Sequence, residues 1–274
     1  MPTSVPAEAG IEAGVEADTG PAVPLRVLVT RPAAQAREWV DGLRAAGLDA
    51  QALPLIDIRP IDDPAELHAA WHGLADFGLV MFVSPNAAEQ FFAHRPPGAT
   101  WPAALQAASP GPGTTRVLRA LGVAQVVEPA ADAVQFDSEA LWAQLRTQDW
   151  SGRRVLVVRG TSGRDWLADR LREQGAAVSL VCAYGRSAPV LDAAGSALLQ
   201  AALDQPARHL WFFSSSEAVD HLEALAPSGN WTAARALATH PRIAARARAL
   251  GLGQVLESRP SLAEVVACIQ SIAS

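Results

Sequence analysis

From Leu25 onward the chain alternates short apolar runs with stretches whose apolar positions recur at intervals of three and four residues. These are the periodicities of buried strands and amphipathic helices in an α/β fold. The runs predict strands over Arg26 to Thr30, Leu79 to Val83, Arg154 to Val158 and His209 to Phe213. Each is followed by a turn of Ser, Thr, Pro or Gly and then by a helical pattern. Residues 1–24 stand outside this alternation. They are rich in Ala, Gly and Pro and carry Glu8, Glu12, Glu16 and Asp18 with no basic residue, which predicts a disordered acidic tail.

The pattern repeats itself. Arg26-Val27-Leu28-Val29-Thr30-Arg31 matches Arg154-Val155-Leu156-Val157-Val158-Arg159, and Arg37-Glu38-Trp39 answers Arg164-Asp165-Trp166. Met81-Phe82-Val83-Ser84-Pro85-Asn86 answers Trp211-Phe212-Phe213-Ser214-Ser215-Ser216, and Arg119 to Gly122 answers Arg248 to Gly251. Segments separated by nearly one offset imply two copies of one set of βα units.

Composition narrows the chemistry. All 22 basic residues are arginine, so lysine-dependent Schiff-base chemistry and the Walker-type phosphate lysine are excluded. A net charge of −6 argues against a general nucleic-acid binder, and no apolar run approaches the roughly 20 residues of a membrane span. Cys182 and Cys268 lie in separate apolar stretches without a metal-ligand partner, which predicts two buried free thiols. The tail lacks the basic and apolar segments of a targeting signal, so a cytoplasmic protein is expected.

The polar residues gather where strands give way to helices. They are Thr30-Arg31-Pro32, Ser84-Pro85-Asn86, Gly111-Pro112-Gly113-Thr114, Asp137-Ser138-Glu139, Arg159-Gly160, Ser214-Ser215-Ser216 and His240-Pro241-Arg242. In a parallel sheet these turns share one rim, where free N–H groups of helix N-termini favour anions. Singly, Ser84, Asp137, Ser138 and Ser214 read as helix caps; as a set on one rim they read as a binding cleft. Arg31 and Arg159, paired by the repeat, read as carboxylate binders. Gly111-Pro112-Gly113 lacks the third glycine of a dinucleotide fingerprint, since position 116 is Arg. His68 and His72 read as a solvated helix face. Tyr184, the single tyrosine, reads first as a half-buried packing residue with a wet hydroxyl.

Taken in order, Val29-Thr30-Arg31-Pro32, Phe82-Val83-Ser84-Pro85-Asn86-Ala87, Gly111-Pro112-Gly113-Thr114, Asp137-Ser138-Glu139, Arg159-Gly160, Tyr184, Phe212-Phe213-Ser214-Ser215-Ser216-Glu217 and His240-Pro241-Arg242-Ile243 resemble the uroporphyrinogen-III synthase family. Val83 and the His240 turn depart from its usual hydroxyl residues, so hydroxyl contacts there are not carried over. The resemblance implies two flavodoxin-like parallel-sheet domains joined by a two-stranded linker. One would comprise residues 25–52 with 187–274, the other 58–182, with 53–57 and 183–186 as linkers. It implies cyclisation of hydroxymethylbilane to uroporphyrinogen III without metal or cofactor, in a monomer that takes its substrate by hand-over from hydroxymethylbilane synthase. Substrate contacts would come from Thr30, Arg31, Ser84, Pro85, Asn86, Gly111, Gly113, Thr114, Ser138, Arg159, Gly160, Ser214, Ser215, Ser216, His240 and Arg242, and Tyr184 would be the acid. Two other readings stay open: a non-enzymatic two-domain cleft protein for a small anion, and a nucleotide-dependent transferase.

Overall fold

A computed structural model describes residues 25–273, so the tail expected at 1–24 lies outside the described residues. In chain order the elements are β1 (Arg26–Val29), α1 (Ala33–Ala45), β2 (Asp49–Ala52), β3 (Asp57–Pro60), α2 (Ala65–His72), β4 (Leu79–Phe82), α3 (Pro85–Ala93), β5 (Gln106–Ala108), α4 (Pro112–Ala120), β6 (Val126–Val127) and α5 (Ser138–Leu145). They continue with β7 (Arg154–Gly160), α6 (Trp166–Glu173), β8 (Ala177–Ser187), α7 (Ala193–Asp204), β9 (His209–Phe213), α8 (Ser216–Leu225), β10 (Arg235–Ala238), α9 (Pro241–Leu250), β11 (Gln254–Glu257) and α10 (Leu262–Ala273).

Two sheets result. The five-stranded sheet runs β11-β10-β9-β1-β2 and is parallel throughout; the six-stranded sheet runs β3-β8-β7-β4-β5-β6 and is parallel except for β3. The continuous apolar strands take the middle of each sheet, where both faces are covered. Alternation along β1 sends Leu28 to one core, with Trp211 and Phe213, and Val27 and Val29 to the other, with Leu43, Phe212 and Ile269. In the second sheet Phe82, Leu156 and Val158 face Phe91 and Tyr184, while Leu79, Met81 and Val157 face Trp150 and Leu171.

Two expectations change. Strand β7 runs on through Arg159 to Gly160, so these residues belong to a strand rather than a turn. Residues 183–186 lie in the 11-residue β8, and β3 pairs antiparallel with that end, Asp57 opposite Ser187 and Pro60 opposite Tyr184. Pro60, which has no N–H to donate, is the last residue of an edge strand, where proline is tolerated. Cys182 and Cys268 are free, as expected, but half-buried. Among the described residues no helix is long and apolar enough to cross a membrane.

Candidate functional site

A cavity of about 650 Å³ opens between the two sheets at the carboxyl ends of their strands. Its walls come from the turn after β1 and the face of α1 (Arg31, Gln35, Glu38, Trp39), the β4–α3 turn (Ser84, Pro85, Glu89) and the β5–α4 turn (Gly111, Gly113, Thr114, Arg116). Phe136 and the start of α10 (Ser261, Leu262) close it. The Ser84 hydroxyl caps α3 by accepting from the Ala87 N–H at 3.2 Å, and Pro85 and Pro112 occupy the first turns of α3 and α4, where a missing N–H costs nothing. Helices α3, α4 and α10 therefore turn their positive ends toward this space.

Arg31 is the notable cation in that wall. Its guanidinium lies 4.6 Å from the Trp39 ring centre and 5.8 Å from that of Phe212, and its buried Nε has no hydrogen-bond partner among the described residues. Burial, with repulsion from Arg116, lowers its pKa to about 10. Arg116 itself is paired with Glu38 across the cavity mouth. Glu89, also in the wall, has its pKa raised by burial.

Behind the wall lies Tyr184. It is fully buried, its ring fills the space where a Cβ on Gly160 would come within 3.0 Å, and its hydroxyl is 2.9 Å from Ser84 Oγ and 2.9 Å from Arg186 Nη2. The expected half-buried ring with a wet hydroxyl is thus corrected: the hydroxyl is held in an internal network. Arg186 Nη1 donates to Glu217 Oε2 at 3.0 Å. Burial opposes the charge on Arg186, but Tyr184 and Glu217 outweigh it and hold its pKa above the ordinary guanidinium value.

A family model described as uroporphyrinogen-III synthase HemD matches residues 37–267. The Escherichia coli (strain K12) uroporphyrinogen-III synthase is 28% identical over 233 residues, 83% of this chain and 92% of that one. The Synechococcus elongatus enzyme is 32% identical over 207 residues, covering 73% and 74%. The chain belongs to the uroporphyrinogen-III synthase family. In structure, a mutant uroporphyrinogen III synthase from the extremely thermophilic bacterium Thermus thermophilus superimposes with a TM-score of 0.57 at 16% identity, over 91% of this chain and 98% of that one. The synthetase from Helicobacter pylori 26695 gives 0.56 at 15% identity, over 90% and 99%. At such identities these likenesses establish the fold alone.

Of the residues picked from the sequence, the cavity wall contains Arg31, Ser84, Pro85, Gly111, Gly113 and Thr114. Thr30 is buried, and its hydroxyl donates to the Phe212 carbonyl at 2.8 Å. Asn86 is buried and accepts from Gln35 across the gap between the sheets at 3.0 Å. Arg159 turns back on its own loop, donating to Gly163 O at 2.9 Å and pairing with Asp165. His240 caps α9 through Nδ1, which accepts from the Arg242 N–H, while its Nε2 stands 3.1 Å from the Asp137 carboxylate; Asp137 in turn caps α5 by accepting from Ala140 at 2.9 Å. Two facing helix N-termini are thereby stapled together. Next to them Arg242 and Arg164 share Glu139, whose pKa is lowered to about 2, chiefly by the Arg164 hydrogen bond. Ser138 occupies the first turn of α5 beside this staple, and Ser215 stands at the start of α8 with no side-chain cap bond; neither these two, Ser214 nor Ser216 lines the cavity. The exposed His68 and His72 fit the expected solvated face.

Sequence reasoning missed Gln35, Trp39, Glu89, Arg116, Phe136 and Leu262. Two of them carried a signal: Trp39 recurs in the repeat as Trp166, and Arg116 is the residue that breaks the glycine fingerprint.

Proposed function

We propose that this chain is a lyase that closes hydroxymethylbilane to uroporphyrinogen III, with loss of water and inversion of ring D. The observation that carries the reading is Arg31, whose guanidinium has no hydrogen-bond or ion-pair partner among the described residues, in a cavity wall shared with three helix N-termini, in a member of this family. The substrate bears acetate and propionate groups on every ring. A site made of backbone donors with a cation uncommitted among the described residues suits such a polyanion even in a protein of net charge −6. Arg31 and the α3, α4 and α10 termini would hold carboxylates, while Trp39, Phe136 and Leu262 offer apolar surface to the pyrrole rings.

The chemistry asks mainly for positioning. Loss of the hydroxyl leaves a cation that the adjoining pyrrole nitrogen stabilises, so neither metal nor cofactor is required. The enzyme's contribution is to hold the chain so that the substituted carbon of ring D, and not its free position, makes the attack. We read each sheet as the centre of one domain, residues 25–52 with 187–274 and residues 58–182, related by the internal repeat and joined through 53–57 and 183–186. The same reading takes the protein to be a cytoplasmic monomer that receives its short-lived substrate by hand-over from hydroxymethylbilane synthase.

The test is turnover at substoichiometric protein, run beside a thermal-shift series with the octacarboxylate product and with nucleotides. Consumption of many equivalents and stabilisation by the product support the proposal. Tight binding without turnover would favour a cleft-binding protein, and stabilisation by nucleotides alone a transferase.

A further inference from the structure

Ser84, Tyr184, Arg186 and Glu217 form one hydrogen-bonded chain leading from the cavity wall to α8. Its direction follows from valence. A guanidinium donates and cannot accept, so the 2.9 Å contact between Arg186 and the Tyr184 oxygen is a bond given to tyrosine. Tyr184 is fully buried, and among the described residues the only other partner of its hydroxyl is Ser84. The phenolic proton must therefore go to Ser84 Oγ or remain orphaned in the core. Ser84 Oγ then accepts twice, from Tyr184 and from the Ala87 N–H, which occupies both of its lone pairs. Its own proton is left to face the cavity that Ser84 lines and Tyr184 does not.

We infer that Arg186 and Glu217 are positioning residues of this site: Arg186, anchored by Glu217, sets the polarity of the Tyr184–Ser84 pair so that Ser84 presents a proton to the substrate's departing hydroxyl. This rests on the cyclisation proposed above. In the step, the C–O bond of the hydroxymethyl group breaks and oxygen leaves with the bonding pair, while the pyrrole nitrogen lone pair feeds the carbon. The oxygen takes the Ser84 proton and departs as water; Ser84 takes the proton of Tyr184. The phenolate is held beside the Arg186 cation, where a preorganised charge costs no rearrangement. The substituted carbon of ring D bonds to the freed methylene carbon, its old bond to the neighbouring bridge carbon breaks, and that bridge carbon bonds to the free carbon of ring D, which sheds its proton; that proton restores the phenol, and the net loss is one water. Glu217 lies on α8, against the five-stranded sheet, whereas Ser84 and Tyr184 belong to the six-stranded sheet. The chain of bonds thus exists only when the two sheets stand as they do here.

The experiment compares kcat and KM for type III formation in the parent, R186Q, R186K, Y184F and the double variant Y184F/R186Q, with thermal unfolding in parallel. Glutamine can accept, so it permits the reversed polarity; lysine, like arginine, only donates. R186Q and Y184F are each expected to lower kcat about 100-fold, the lower end of general acid catalysis, with KM unchanged. R186K should recover most of the loss, and the double variant should be no slower than either single one. A parental kcat in R186Q or in Y184F, a lysine variant no better than glutamine, or additive losses in the double variant would overturn the inference. Should R186Q fail to fold, Y184F and R186K decide the question on the same terms. A parent that makes no type III product would instead refute the proposed function.

Discussion

Replacing Arg31 by methionine should stabilise the fold while weakening catalysis. The side chain keeps its length and can still lie on Trp39, but it loses a charge that has no counter-ion among the described residues. A pKa lowered from the ordinary guanidinium value to about 10 corresponds to about 3 kcal/mol of disfavoured charge. From pH 10 up to the ordinary guanidinium value the unfolded chain holds this proton and the folded one has released it. Stability therefore rises with pH across that window, and the penalty is present in full at neutral pH. Removing the charge recovers that amount less the cation–π contact with Trp39, about 0.5–1 kcal/mol, and less the water that reaches the part-exposed side chain. A net gain of about 1–2 kcal/mol raises Tm by about 2–4 °C per kcal/mol in a protein of this size. A lost charged hydrogen bond to a substrate carboxylate costs about 1.5–3 kcal/mol, so kcat/KM should fall roughly 10- to 100-fold, mostly through KM. Thermal unfolding and steady-state rates measure the two halves. A variant that is less stable than the parent and keeps its kcat/KM would refute this account of Arg31.

Gly160→Ala should act on Tyr184, because the new Cβ meets its ring at 3.0 Å with the hydroxyl tethered at both sides; overpacking costs about 1–3 kcal/mol, read as a lower Tm together with a lower kcat. Glu139→Gln should flatten the acid limb of stability. The depressed pKa contributes above pH 4.5 and is lost as pH falls from there to about 2, so the parent's Tm should drop more steeply over that interval, with the difference shrinking at high salt because Glu139 is 39% exposed. A fragment of residues 154–274 should show no cooperative thermal transition, since β7 loses its neighbour β4 and β9 loses β1, at the centre of each sheet.

The central strands were legible because strands buried on both faces must be continuous apolar runs, as Leu79–Phe82 and His209–Phe213 are. The outer strands were not. Val126–Val127 and Gln254–Glu257 are two and four residues long and only partly buried, so little in their local pattern separates them from loops. The capping turns were legible from Ser84 and Asp137, whose hydroxyl and carboxylate do accept the first-turn N–H groups. Which turns share the cavity was not, because that depends on how two sheets face each other. The His240–Asp137 staple holds two helices together through one residue expected to touch substrate, His240, while Trp39, Phe136 and Leu262 come to the cavity from segments remote in sequence. Tyr184 shows the same limit from the other side: its burial behind Ser84 follows from the Gly160 gap across the strand pair, which its own stretch of sequence does not show.

The most direct test of the central claim is the identity of the product. Freshly generated hydroxymethylbilane is incubated with the protein, the porphyrinogens are oxidised, and the type I and type III isomers are separated. The account predicts that type III predominates and grows with protein concentration, against a type I background in its absence. A product mixture that stays type I at every protein concentration would contradict it.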